Sequence, residues 1–181
     1  MANGNTENIR LGACNVHFGE QGSEEFLGLT IGGVEVEVST ETQQTMVDQY
    51  GDTVVKESIR GRNVSVSMQL AETTIQNMVA LMPGATLLST GGERAVVKTG
   101  VGIDLLSVAK SMILRPVEKD DLDTPANADK SEDFHIFRAS TPGGLTFAYT
   151  SDSERVFNAT FNAYPKENGD LFEYGDPSAT A

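Results

Sequence analysis

The chain has 181 residues and a formal net charge of −13, with 26 acidic and 13 basic side chains. That length allows one domain, two at most, and 39% hydrophobic residues supply one core. So acidic a surface is a poor grip for nucleic acid, since phosphate contacts need Lys and Arg, and the single cysteine, Cys14, excludes an internal disulfide.

The opening Met1–Arg10 is polar and carries no basic-then-apolar leader. The expectation is therefore synthesis and residence in a reducing cytoplasm. No apolar run approaches the roughly 18 residues of a membrane span. Asn63-Val64-Ser65 and Asn158-Ala159-Thr160 match glycosylation sequons, and without a leader both read as chance.

Along the chain, 18 glycines, no Trp and repeated two-residue alternation predict a turn-rich β protein. In Val34-Glu35-Val36-Glu37-Val38 the valines share one face and the glutamates the other. Val64, Val66, Met68 and Leu70 form a second apolar set, opposite Ser65, Ser67 and Gln69. Leu106, Val108, Met112 and Leu114 form a third, interrupted by Lys110. Leu145, Phe147 and Tyr149 make a fourth. Phe157, Ala159, Phe161 and Ala163 make a fifth, opposite Asn158, Thr160 and Asn162. Three glycine-bearing turns predict β-hairpins: Gly32-Gly33 between 26–31 and 34–38, Gly91-Gly92 between 86–88 and 94–98, and Pro142-Gly143-Gly144 between 134–139 and 145–150.

One helix is expected at about residues 73–82. Thr73 fits the N-cap with Gln76 three residues on. Ile75, Met78, Val79 and Met82 form one apolar stripe, and Pro83-Gly84 ends it. The predicted fold is mainly β, a β-sandwich or barrel with one flanking α-helix, as a single domain over 1–181. Two long connections are expected, 39–62 and 116–133. The second carries 7 acidic and 2 basic residues, and loops of such length tend to be functional or disordered. The acidic, aperiodic segment 165–181 is expected to be loosely held.

Candidate chemistry is sparse. Cys14 and His17 are three apart on a strand, so they face opposite ways and would not share a metal ion. His135 has no evident partner, and structural roles are expected for all three. Asp121, Asp123, Asn127, Asp129 and Glu132 fit positions 1, 3, 7, 9 and 12 of a calcium loop. Pro125 and Ala126 break that frame at positions 5 and 6, and a solvated acidic loop is the better reading. Gly100-Val101-Gly102 starts like a dinucleotide loop, but no third glycine and no helix follow. No G-x-S-x-G elbow occurs, and no His lies close to a Ser or Asp in a way that nominates a triad. No enzymatic activity, catalytic residue, metal or cofactor is therefore expected.

Val16-His17-Phe18-Gly19 followed by Leu27-Gly28-Leu29-Thr30-Ile31-Gly32-Gly33-Val34 resembles the N-terminal hairpin of the major tail tube proteins of long-tailed bacteriophages. The polar connection Gln43–Arg62, with Gly61 leading into Val64–Leu70, and the run Ala71-Glu72-Thr73-Thr74 into the helix are similar to that family as well. The likeness covers roughly residues 10–90, and beyond that only the strand pattern agrees. It implies a structural virion protein of the tail, made in the bacterial host cytoplasm. Six subunits would form a ring, and rings would stack into a hollow tube with neighbouring strands paired edge to edge. Double-stranded DNA would pass through the bore without specific binding. Implied partners are further copies of the chain, the tape measure protein, and the tail terminator and tail tip proteins.

Charge suits that role, because a basic bore would hold phosphates. An acidic one repels them within a screening length of about 8 Å. Glu35 and Glu37 are the lumen-lining candidates, although that face could instead point outward. Met46, Val47, Tyr50, Val54 and Val55 are apolar residues hard to justify on an exposed connection, and they are the candidates for contact with the next ring. Two alternatives remain. One is a tube subunit of a contractile injection or secretion system, which would share the fold. The other is a soluble ligand-binding β-sandwich, disfavoured by the absence of Trp and of clustered loop aromatics.

Overall fold

The computed structural model describes residues 12–124, 127–152 and 154–179; the polar opening Met1–Arg10 and the frame-breaking Pro125 and Ala126 lie outside them. The strands are β1 (Cys14–Glu20), β2 (Ser23–Phe26), β3 (Thr30–Met46), β4 (Val54–Leu70), β5 (Thr86–Leu88), β6 (Arg94–Val96), β7 (Lys110–Pro116), β8 (Phe134–Ser140), β9 (Phe157–Ala163) and β10 (Phe172–Tyr174). Among the described residues the one α-helix is α1 (Ile75–Leu81). The fold is mainly β, as the alternation demands.

Eight strands form one antiparallel sheet in the order β2-β1-β7-β8-β9-β4-β3, with β10 also on β8. The β8–β9 junction is narrow, holding only Ala139↔Ala163 and Ser140↔Asn162. On either side of it the apolar faces share one core. Val16, Phe18, Met112, Leu114 and Ile136 come from one half, and Val64, Val66, Met68, Leu70, Phe157, Ala159 and Phe161 from the other. Phe18 and Phe161 meet across it with ring centroids 5.0 Å apart. Alternation along β4 and β9 permits this arrangement, because every second residue leaves water, while β7 and β8 bury adjacent residues around a register shift between Lys110 and Met112.

Several expectations need correction. Gly32-Gly33 is no hairpin turn. β3 runs straight through it, and the pair absorbs a register shift between Ile31 and Val34 as a β-bulge. Both glycines hold positive φ, at 75° and 89°. The partner of Val34–Val38 is therefore β4, and residues 27–29 only link β2 to β3.

Residues 39–62 form no loop either. They are the outer part of a long β3–β4 hairpin, paired from Ser39↔Asn63 out to Met46↔Val54. The alternation there is between polar residues, so no apolar period announces the strands. Residues 145–150 make only an isolated bridge, Thr146↔Asn158, instead of a strand. Leu106 and Val108 precede β7 in a turn and are 40% and 37% exposed. The Gly91-Gly92 turn does join β5 to β6, as a separate two-stranded sheet.

The helix begins one residue late. Thr74 is its N-cap, accepting from the Asn77 backbone N–H at 3.1 Å. Thr73 is engaged elsewhere, its hydroxyl accepting from the Arg155 guanidinium. The side of α1 that is buried carries Asn77 and Leu81, while the expected stripe Ile75, Met78, Val79 and Met82 is only half-buried. An inward Asn is tolerated because its amide donates to the Leu27 and Glu72 carbonyls, both at 2.8 Å. In the segment 165–181, β10 pairs with β8, and Leu171 and Phe172 pack against the core.

Candidate functional site

The three strands at one end of the sheet bring together side chains that the sequence shows only as separate alternations. Glu35 stands beside Ser67 and Ser67 beside Thr160; Glu37 stands beside Ser65 and Ser65 beside Asn162. Gln69 and Asn158 continue the same rows. Their opposite neighbours Val36, Val66, Met68, Ala159 and Phe161 supply the core, so this face must point away from it. Glu35 and Glu37 are exposed, Ser65 and Ser67 are half-buried, and the Ser67 and Thr160 hydroxyls lie 3.4 Å apart. These eight positions hold two carboxylates and no cation.

The carboxylates sit on β3, which ends the strand order and, among the described residues, pairs with β4 alone. From Val34 to Glu41 the ladder to β4 is unbroken, so the outer row of backbone N–H and C=O groups is regular as well. β3 carries neither Lys nor Pro, the residues that commonly blunt such a border. The opposite border, β2, is four residues long.

Beyond Ser39 and Asn63 the hairpin leaves the body of the protein. No residue is fully buried from Ser39 to Met46, nor from Val54 to Asn63. At about 3.3 Å per residue the arm extends some 25 Å. Asp48–Tyr50 form a 3₁₀ turn at its tip. All but one of the inter-ring candidates there are exposed: Tyr50 by 68%, Met46 by 50%, with Val54 and Val55 near 40%. Val47 is half-buried. Ile59, a residue the sequence reading passed over, adds a further 60%-exposed apolar side chain to the arm.

A different polar layer lies on the outer face of β1, β7 and β8. His17 and His135 occupy one row, each beside Ile113. The His17 Nε2 is 2.8 Å from Asp120 Oδ2, and Asn15 donates to the same oxygen. Arg115 grips Asp133 through Nε and Nη2, at 2.7 and 2.6 Å, and reaches Asp120 through Nη1 at 3.0 Å. Asp133 chiefly raises the Arg115 pKa further. Burial pushes the Asp120 carboxyl up, but donors from Asn15, His17 and Arg115 outweigh it and hold the pKa below the ordinary value. These contacts pin both ends of the connection 116–133 to the sheet.

His135 lies between Ser111, 2.8 Å from Nε2, and Glu173, 2.7 Å from Nδ1. The spacing is that of a Ser-His-carboxylate relay, formed by residues 24 and 38 positions apart and so invisible to local motif reading. Ser111 is only 2% exposed, and Glu24 of the β2 border also bonds its hydroxyl. In this conformation the oxygen is closed to a substrate, and the row ties four strands together. Cys14 faces the core on the other side of β1, as its odd spacing from His17 requires.

The calcium frame is not assembled among the described residues. Asp129 and Glu132 turn to Lys119, at 2.9 and 3.2 Å, and Asp121 caps the Thr124 backbone N–H. No group of three or more His, Cys, Asp or Glu able to hold a metal occurs among the described residues. Gly100-Val101-Gly102 is an exposed turn with Val101 92% accessible. Neither the protein-family models nor the curated proteins compared with the chain give a match.

Proposed function

We propose that this chain is a structural virion protein, the subunit of a bacteriophage tail tube, with six copies to a ring and rings stacked into a hollow cylinder. One observation carries the reading. The unsealed strand β3 and the carboxylate-bearing, cation-free face belong to the same three-stranded end of the sheet.

A long bare border is a hazard for a solitary protein and a joint for an assembling one. Closing copies into a ring satisfies the outer backbone groups of β3 and removes the edge. The same closure turns the β3–β4–β9 face into a wall with one chemical character, anionic or small and neutral. Duplex DNA meeting those eight positions finds no Lys or Arg to release its counterions, so phosphate contacts do not accumulate there. Repulsion stays within about 8 Å of the wall at physiological salt, and the polymer moves in a hydrated layer. The arm with its apolar tip serves the other direction, contact between rings. In this reading the chain resides in the virion tail. Its partners are its own copies, a tape measure protein in the bore, and terminator and tip proteins at the ends.

Electron microscopy of the concentrated protein and of the native particle tests the reading. Hollow six-fold cylinders with Glu35 and Glu37 facing the bore support it. An ordered assembly without a channel, or with a positively charged one, ends it.

A further inference from the structure

The tip of the hairpin and an apolar pocket lie at opposite poles of the molecule, joined by one strand. β4 starts near the tip with Val54 and ends at Leu70, 16 residues later, about 50 Å of extended strand. Leu70 leads into Thr73, Thr74 and α1, and there a cavity of about 290 Å³ opens. Its walls include Ile75, Met78, Val97, Phe147, Tyr149 and Phe157. Phe147 meets Tyr149 and Phe157 edge-on, at 5.7 and 5.4 Å, so the aromatic wall is prearranged. Yet Tyr149 is 79% exposed, which leaves a large apolar surface wet.

Arg155 stands on the rim. Its guanidinium donates to Thr73 Oγ1 at 3.0 and 2.8 Å and lies 5.1 Å from the Tyr149 ring centre. Among the described residues no carboxylate neutralises it. At the other pole Tyr50 is 68% exposed and stands two residues from Asp48 and from Asp52 along the chain, both exposed and neither with a side-chain hydrogen bond or ion pair among the described residues. One pole therefore offers an aromatic knob flanked by anions. The other offers an apolar hole with a fixed, uncompensated cation.

We infer that the hairpin tip of one copy docks into this pocket of the next, with Tyr50 against Phe147 and Tyr149 and an Asp48 or Asp52 carboxylate on Arg155. The inference rests on the tube reading and supplies its axial lock. The contact joins two different surfaces displaced along a strand, so it does not close on itself and repeats without limit, the condition for a filament. The Arg–carboxylate pair adds direction, since it sets a local attraction against the overall repulsion between copies of net charge −13.

Cross-linking tests this directly. With the photo-reactive residue benzoylphenylalanine in place of Tyr50, assembled cylinders or particles are irradiated and the links mapped by mass spectrometry. Links between copies to residues 75–78 or 147–155, in an open-ended ladder of multimers, are the expected result. Arg155→Glu should cut sedimentable cylinder yield about tenfold or more, as loss of an interface anchor does. Combining it with Asp48→Arg and Asp52→Arg should restore the yield. Circular dichroism verifies folding, and Tyr149→Ser, at an exposed position, replaces Arg155→Glu if that variant misfolds. Cylinders whose links map elsewhere, or a charge swap without recovery, overturn the lock and leave the tube standing. A native particle in which this chain builds no cylinder overturns both.

Discussion

Arg115 shows how much of this protein rests on single buried charges. It bonds two carboxylates, Asp120 and Asp133, while only 5% exposed. Removing one member of such a group strands the rest without a partner. Asp133→Ala should therefore lower unfolding free energy by about 3–5 kcal/mol, read from urea denaturation midpoints.

Asp120 adds a pH dependence of definite sign. Its folded-state pKa lies below the ordinary 3.8, so around that value the native state binds fewer protons than the unfolded chain. The stabilisation is fully present above the ordinary value and disappears as pH falls through the folded one. Stability measured from about pH 5 downward should decline, and Asp120→Asn should flatten that slope. None of this layer was legible in the sequence. His17 and Asp120 are 103 residues apart, and only the β1–β7–β8 register brings the histidines and their partners into one place.

At the scale of the element, the readable parts are those where periodicity and burial coincide. The inner half of β4 and β9 from Phe157 to Phe161 alternate as their burial does. The outer hairpin fails that test, because a strand pair in water on both faces needs no apolar period. Gly32-Gly33 misleads for a related reason. A glycine pair signals positive φ, which serves a bulge inside β3 as well as a turn between strands.

The helix start is a choice between two adjacent threonines, settled by Arg155, 82 residues away, which takes the hydroxyl of Thr73. Thr74→Ala should accordingly cost about 1 kcal/mol through the lost cap. Thr73→Ala should leave helix capping intact and free the Arg155 side chain instead. Chemical denaturation of the two variants side by side checks the assignment.

Across the whole molecule, the polar face of β3, β4 and β9 was legible as residues but not as a surface. Glu35 and Glu37 stand out in the sequence; that β4 and β9 extend their face with Ser, Thr, Gln and Asn follows only from strand order. Under the tube reading, Glu35→Lys with Glu37→Lys should slow DNA ejection while leaving the fold intact. Single-particle ejection assays on phage carrying the double variant measure it, and an unchanged rate moves these residues off the bore.

The bare flank of β3 also bears on how the chain must be handled. Until another backbone covers it, any passing β-segment is a competitor, and what keeps strangers and siblings at a distance is the surplus of carboxylates. Acidifying a preparation titrates that surplus away while the flank stays sticky. Irregular precipitation should then outrun ordered growth, and raising the salt should do the same by shortening the reach of the repulsion.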